Sequence, residues 1–157
     1  MNNELVKRKE LAFQLYELLD TENLCRRERF VEHNRETFDA VMEIANKIAT
    51  EKFATHNAKG DANEPTFDGQ KVHMIPEVKE AFDAYVESGL IAGRFDFDEG
   101  GMQLPETIMT ACAGYFMAAN PSSTGYPFLT IAAANVIRNF ASEQLKNAFM
   151  PKMLSGE

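Results

Sequence analysis

The sequence predicts an all-α fold, a bundle of about six helices that forms a single domain over residues 1–157. Apolar residues recur at three- and four-residue spacing through every long segment, which is the pattern of a helix with one buried face. Prolines and a serine stand where several of these segments begin, and glycine or Asn-Pro follows where they end. A chain of this length can bury most of its unfolded surface in one core, so we expect one domain.

The N-terminal third contains two long helical patterns joined by a shorter one. The first is "NELVKRKELAFQLYELLD", in which the leucines at helical spacing are Leu11, Leu15, Leu18 and Leu19. A short helical stretch around "ENLCRRERF" follows. The second long pattern, "NRETFDAVMEIANKIATEKFA", is the strongest in the chain. Its predicted apolar stripe comprises Phe38, Val41, Ala45, Ile48 and Phe53, broadened by Met42 and Ala49.

Irregular sequence separates this part from the rest of the chain. "THNAKGDANEPTFDGQKVHM" contains the glycine and proline spacing of a loop. Pro76 then opens the helix "PEVKEAFDAYVESG", and Gly89 ends it. "LIAGRFDFDEGGMQL" is predicted to be extended, with a short strand within "IAGRFDF".

Three further helices are predicted in the C-terminal part. Pro105 starts "PETIMTACAGYFMAAN", which Asn120 and Pro121 end. Its predicted buried stripe comprises Ile108, Cys112, Tyr115, Phe116 and Ala119. "PFLTIAAANVIRNFA" is apolar on most sides, so we predict a central position for it. Ser142 is a suitable N-cap for the last helix, and Ser155 and Gly156 are its stop signals.

Composition and charge exclude several classes of protein. The net charge is −8 with an isoelectric point near 4.9, and the one dense basic run, "CRRER", is offset by neighbouring glutamates. We therefore predict a solvated helix face there and no binding of nucleic acid. No apolar run approaches the roughly 20 residues of a membrane helix. Two lone cysteines, Cys25 and Cys112, suit a reducing compartment, so we expect a cytoplasmic protein.

One stretch begins like a calcium-binding loop. In "DFDEGGMQLPET", Asp96 and Asp98 stand at the first and third positions, with a glycine at the sixth. Gly100 and Thr107, however, occupy the fifth and twelfth positions, where calcium needs oxygen ligands and a bidentate glutamate. We therefore predict a turn-forming loop rather than a calcium site.

The histidines and hydroxyl residues form no catalytic or metal-binding motif in the sequence. His33, His56 and His73 lie in three separate segments, so we predict surface or loop histidines rather than metal ligands. The hydroxyls of "NPSSTGY" have no histidine nearby in sequence to activate one, and a turn entering a helix explains them.

Four segments carry a resemblance to a known family. "FDGQKVHMIPEV", "DEGGMQLPET", "MAANPSS" and "EQLKNAFMPKMLSGE" follow one another in the order and spacing of that family's motifs. The chain from about residue 45 to its last residue thereby resembles the N-terminal helical domain of flavin-dependent acyl-CoA dehydrogenases. It is most similar to the branch that contains 3-methylmercaptopropionyl-CoA dehydrogenase. The first 40 residues resemble the family only in helical character.

The turn around the paired glycines departs from the family pattern. Gln103 stands where a glycine usually follows, and Glu99 replaces a customary aromatic residue just before Gly100 and Gly101. "SGLIAG" stands where the family has a tryptophan. If the family's glycine has a positive φ, we expect the turn at Gln103 to follow a different path.

The resemblance implies that the chain is a fragment, the first domain of a longer enzyme. In relatives, "SGE" leads into a β-domain that holds the flavin, and a helical domain with the catalytic glutamate follows. The implied reaction is α,β-dehydrogenation of an acyl-CoA, in which a carboxylate removes the α-proton and the β-hydrogen leaves as hydride to the flavin. FAD is thus expected in the full-length enzyme and not in this chain alone. An acyl-CoA, an electron-transfer acceptor and further copies of the chain are the implied partners.

The resemblance also implies site residues. The first domain of relatives forms one wall of the acyl pocket, and its lining maps here to Tyr126, Phe128, Leu129 and Ala132. The catalytic base is expected outside this chain. Two alternatives stay open: the four residues could be ordinary core, and the chain could be a stand-alone helical interaction or regulatory module without catalysis. A relative of the dehydrogenase fold with altered chemistry is a third reading.

Overall fold

The computed structural model describes residues 4–157, and its long elements are all helices. The α-helices are α1 (Arg8–Ala12), α2 (Arg35–Ile48), α3 (Asn57–Ala62), α4 (Pro76–Glu87), α5 (Glu106–Ala119), α6 (Pro121–Phe140) and α7 (Glu143–Ser155). The two strands, β1 (Thr66–Phe67) and β2 (Val72–His73), pair antiparallel. The predicted all-α class is confirmed, with seven α-helices in the described residues rather than about six.

Helix α2 supplies one side of the core, as its sequence pattern predicts. Asn34 caps its start, because the Asn34 Oδ1 accepts from the Thr37 amide at 2.9 Å while the Thr37 hydroxyl accepts from the Asn34 amide at 3.0 Å. The helix continues through a π-helical turn over Ala49–Phe53. The fully buried members of the predicted stripe are Phe38, Met42, Ala45, Ala49 and Phe53, whereas Val41 and Ile48 are partly buried.

The N-terminal helix departs from its predicted face. Leu15 is buried, but Leu18 and Leu19 are 68% and 57% exposed. The cause is a π-helical turn over Phe13–Leu18, which has more residues per turn than an α-helix and so rotates later side chains off the buried face. The "ENLCRRERF" stretch is helical as predicted, in two 3₁₀ turns over Thr21–Arg26 and Glu28–Phe30.

Helix α5 lies at the centre of the bundle, between α2 and α6. All members of its predicted stripe are buried: Ile108, Cys112, Tyr115, Phe116 and Ala119. The Phe116 ring makes edge-to-face contacts with Phe53 and Tyr85, each at a centroid distance of 4.9 Å. These contacts join α2, α4 and α5 through aromatic rings.

Helix α6 is peripheral, so its predicted central position is wrong. Its inner face buries Ile131 and Ala134, but Phe128, Val136 and Phe140 are 60%, 59% and 84% exposed. An all-round apolar helix is central only if other elements cover all its sides. In the described residues, α4, α5 and α7 pack on α6 and leave one apolar side open.

Two irregular regions differ from their predictions. The stretch around "THNAKGD", predicted to be irregular, contains helix α3, and the β1–β2 hairpin lies in the same long segment. The strand predicted within "IAGRFDF" is wrong, because Leu90–Ala92 form a 3₁₀ turn. All three of these residues are buried. In a strand with one exposed face, successive side chains would alternate between buried and exposed.

The last helix begins and ends where the sequence predicts. The Ser142 hydroxyl caps α7 by accepting from the Leu145 amide, and Gly156 follows its end with a φ of +77°. None of the described helices combines the length and hydropathy that crossing a bilayer requires.

Candidate functional site

A groove of about 540 Å³ runs between α5 and α6. Its α5 wall is formed by Met109, Thr110, Ala113, Gly114, Phe116 and Met117, and its α6 side by Thr124, Pro127, Phe128, Ile131, Ala132 and Asn135. Tyr85 of α4 and Arg94 complete the lining. A concave, mainly apolar surface with a few polar groups is the usual form of a small-molecule site.

The structure brings two of the four predicted site residues together. Phe128 and Ala132, one helical turn apart on α6, both line this groove. Tyr126 instead lines a second cavity of about 650 Å³ beside α3 and α4, and its hydroxyl lies 2.8 Å from the Met74 Sδ. Leu129 lines neither of these two cavities.

All four predicted residues are exposed in this chain. Tyr126, Phe128 and Leu129 retain 43%, 60% and 66% of their accessible surface, and Ala132 is also exposed. The alternative that they are ordinary core residues therefore does not describe this chain. Their role as an acyl-pocket wall stays a prediction.

Sequence reasoning missed the polar groups of the groove. Arg94 is the single charged residue in its lining among the described residues. One Arg94 Nη lies 3.1 Å from a Glu106 carboxylate oxygen, whereas the buried Arg94 Nε has no hydrogen-bond partner. Tyr85 is 7% exposed, and burial raises its pKa to about 12 although the nearby Arg94 lowers it. Arg94 follows α4 in a region predicted to be an extended loop, and no sequence motif marks it.

A buried polar cluster fixes the start of α6. The Asn120 Oδ1 accepts from the Ser123 amide at 3.1 Å, and the Asn120 Nδ2 donates to the Phe53 carbonyl at 3.2 Å. His56 is 2% exposed, and its Nε2 lies 2.8 Å from the Ser123 hydroxyl. Its Nδ1 lies 2.7 Å from the Lys52 carbonyl, and because a carbonyl can only accept, the Nδ1 is the donor of this hydrogen bond.

The prediction of surface or loop histidines is therefore wrong for His56. It is correct for His73, which is exposed and contacts Asp68 at 2.6 Å. His33 is half-buried, and its Nε2 lies 2.9 Å from the Met102 carbonyl. The partners His56 and Ser123 are 67 positions apart, so local sequence does not reveal their contact.

Two arginines stabilise the acidic turn, which runs from Asp96 to Glu99. Asp96 and Glu99 form ion pairs with Arg138 of α6, each at 2.6 Å, and Arg29 contacts the other carboxylate oxygen of Asp96. Asp96 and Glu99 also cap each other's backbone amides. Asp96, Asp98 and Glu99 lie close enough to share a cation, but the first and last of these carboxylates are already paired with guanidinium groups. A turn-forming loop describes this stretch.

Gln103 keeps a left-handed backbone in this turn. Its φ is +53°, so the turn has a positive φ at this position without a glycine. The different path expected relative to the family stays a prediction. The side-chain Nε2 of Gln103 donates to the Arg29 carbonyl, and this hydrogen bond connects the turn to the N-terminal segment. No residue with a side chain fits at Gly101, because a Cβ there would lie 2.1 Å from the Phe95 carbonyl oxygen.

Both cysteines are free, and neither is activated. Burial raises the pKa of the Cys112 thiol to about 12 and also raises that of Cys25. A thiol with a raised pKa carries little thiolate near neutral pH. These groups are therefore packing residues rather than nucleophiles.

Comparison with known proteins identifies the family. The sequence profile described as "Acyl-CoA dehydrogenase, N-terminal domain" matches residues 35–157, and the chain belongs to this family. Two proteins from Syntrophomonas wolfei, both named butyryl-CoA dehydrogenase, are 28% and 24% identical to it. Each alignment covers 99% of this chain and 26% of the relative, so the chain spans about a quarter of the length of these relatives.

The α5–α6 groove does not by itself fit a flavin dinucleotide. A flavin dinucleotide carries a pyrophosphate that proteins hold with glycine-rich loops, helix N-termini or several cations. The groove offers one cation, Arg94, which is fewer than a pyrophosphate with two negative charges calls for. A mainly apolar ligand suits this lining better than a dinucleotide.

Proposed function

We propose that this chain is the first domain of a longer, FAD-dependent acyl-CoA dehydrogenase and forms one wall of its acyl pocket. The observation that carries the proposal is the apolar groove between α5 and α6, lined by Phe128 and Ala132 in a chain that belongs to this family. A fatty acyl chain has the apolar character of this lining.

The groove contributes binding and exclusion of water rather than chemistry. Each acyl methylene that leaves water for an apolar surface gains about 0.8 kcal/mol. The oxidation itself requires FAD and a carboxylate base, which we propose are supplied by other domains of the longer protein. The exposed residues Tyr126 and Leu129 would contact those domains or the acyl chain there.

The exposed apolar side of α6 supports the same proposal. Phe128, Leu129, Val136 and Phe140 lie along this one helix, and all are more than half exposed. A monomeric protein rarely leaves such residues contiguous without a binding partner. Further domains of the same polypeptide, or further copies of it, would cover this side in the proposed enzyme.

The test begins with the coding sequence that follows Glu157. We expect a β-domain and a helical domain in the same frame, and the encoded protein should oxidise an acyl-CoA with bound FAD and an artificial electron acceptor. The 157-residue chain alone should bind no FAD by calorimetry and show no turnover. A stop codon directly after Glu157 would instead favour the stand-alone interaction module, and saturable FAD binding to the short chain would contradict the assignment of the cofactor to other domains.

A further inference from the structure

We propose that the α5–α6 groove is selective for an acyl chain that ends in a carboxylate, the half-thioester of a dicarboxylic acid. The proposed ligand has its thioester toward the remaining domains and its carboxylate at Arg94. This inference rests on the proposed function, because it takes the groove to be the place where the acyl chain enters.

Charge complementarity is the first argument. The protein has a net charge of −8, yet the single charged residue that lines the groove among the described residues is a cation. A guanidinium group does not help a groove to bind a pure hydrocarbon chain, since partly burying the charged group beside apolar residues costs free energy. A carboxylate on the ligand would offset that cost.

The hydrogen-bonding state of Arg94 is the second argument. Its ion pair with Glu106 uses one Nη, and the Glu106 side chain is 65% exposed, so water screens that pair. The Arg94 Nε is buried without a partner. Buried polar atoms are nearly always hydrogen-bonded, so the Arg94 Nε–H is a donor whose partner the described residues do not supply. The planar guanidinium has further N–H groups that can donate to a second carboxylate.

Tyr85 supplies a second polar group at the same place. It is more than nine-tenths buried, it lines the groove, and its hydroxyl hydrogen-bonds to no other described residue. It lies near enough to Arg94 for the two groups to interact electrostatically. A carboxylate has two oxygens, so one bound in the groove could accept from the Arg94 guanidinium and from the Tyr85 hydroxyl.

The rest of the lining fits the aliphatic part of such a ligand. Met109 and Met117 of α5 face Phe128 and Ile131 of α6 across the groove, and all four are apolar. Methionine side chains adapt to chains of different length. The arrangement therefore combines an apolar channel with one anion-binding position at Arg94.

The experiment compares two esters that differ only at the far end. Monomethyl adipate and methyl hexanoate have the same ester and the same four methylenes, but the first ends in a carboxylate and the second in a methyl group. Their binding to the isotopically labelled 157-residue chain is followed by NMR. We expect saturable shifts at the groove residues, with an affinity roughly tenfold higher for monomethyl adipate.

Three variants make the test specific. Arg94→Met removes the charge but keeps an unbranched side chain, and it should abolish the preference. Arg26→Met makes the same change at an exposed arginine that lines none of the groove, and the preference should remain. Glu106→Gln removes the competing carboxylate, so it should raise the affinity for monomethyl adipate while leaving methyl hexanoate unchanged. A higher affinity in Glu106→Gln cannot be explained by partial unfolding of the variant, since unfolding would lower the affinity.

The contradicting results are equally clear. Equal affinity for the two esters at the groove would overturn the carboxylate preference and leave the acyl-wall role in place. Shifts confined to other surfaces, or an unchanged preference in Arg94→Met, would also overturn the inference. The proposed function fails by a different result, which is the absence of acyl-CoA oxidation by the longer protein.

Discussion

Helices α5 and α6 have similar hydrophobic sequences but opposite positions in the molecule. Helix α5 packs against α2 and α6, Tyr85 of α4 contacts its Phe116 ring, and its stripe from Ile108 to Ala119 is buried. Helix α6 buries one side and leaves Phe128, Val136 and Phe140 exposed on another. The difference shows that hydrophobicity alone does not distinguish a helix buried in the domain from one that leaves an apolar surface exposed.

The largest expected effect contrasts one phenylalanine from each helix. Phe116→Ala removes a ring that is 1% exposed and contacts two other aromatic rings, so it should lower the free energy of unfolding by about 3–5 kcal/mol. Phe140→Ala makes the same chemical change at a ring that is 84% exposed, and it should change stability by at most about 0.5 kcal/mol. Urea denaturation of both variants measures the difference. Equal losses would mean that α6 is packed as α5 is.

The junction between the two helices gives the next effect. Asn120→Ala removes the cap of α6 and the hydrogen bond to the Phe53 carbonyl, both in a buried site, and should cost about 2 kcal/mol. Ser142→Ala removes the cap of α7 at an exposed position with a longer contact of 3.5 Å, so its cost should be below about 1 kcal/mol. Thermal melts of the two variants compare them. A larger loss of stability for Ser142→Ala than for Asn120→Ala would contradict the claim that the buried Asn120 hydrogen bonds stabilise the domain more than the exposed cap at Ser142 does.

A smaller effect is expected at Gln103, which follows the Asp96–Glu99 turn that forms ion pairs with Arg138 of α6. At Gln103, with a φ of +53°, glycine avoids the steric cost of the left-handed conformation and alanine does not. Gln103→Gly and Gln103→Ala both lose the hydrogen bond to Arg29, so the glycine variant should be about 1 kcal/mol more stable than the alanine variant. Chemical denaturation measures this difference. Equal stability of the two variants would argue against a positive φ at this position.

The smallest effect lies in the exposed β1–β2 hairpin. The hydrogen bond from His73, followed by those from the Lys71 and Gln70 amides, lowers the pKa of Asp68 to about 2. Because the folded pKa is lowered, the contacts support the hairpin above the ordinary carboxyl pKa and are lost as the pH falls toward about 2. NMR titration of the Asp68 carboxyl should show this low midpoint. His73→Gln should move the midpoint upward, and an ordinary midpoint in the native chain would contradict the contact.

Local sequence predicted what depends on local spacing. The stripe of α5, the cap at Ser142 and the stop at Gly156 follow from helical period and capping chemistry, and the structure confirms them. The side of α6 that is exposed could not be predicted in this way, because it depends on which helices cover it. The buried position of His56 likewise depends on Ser123, a partner 67 positions away.

The candidate site was predictable only in part, and for the same reason. The family resemblance singled out Phe128 and Ala132, which share the α5–α6 groove, together with Tyr126 and Leu129, which do not line it. Arg94 carries no local signal, since its importance arises from the groove that α4, α5 and α6 form around it.

The central claim is that the α5–α6 groove forms one wall of the acyl pocket, and Phe128, which lines that groove, tests it most directly. In the longer protein, Phe128→Ala should enlarge the space for the acyl tail and shift the specificity constant toward longer acyl-CoA chains. The shift should reach roughly fourfold for each added methylene that is accommodated, since each gains up to about 0.8 kcal/mol. Phe140→Ala serves as the control on the same helix but outside the groove lining, and its length profile should match the wild type. An unshifted profile for Phe128→Ala, across an acyl-CoA series measured in a stably folded variant, would contradict the claim.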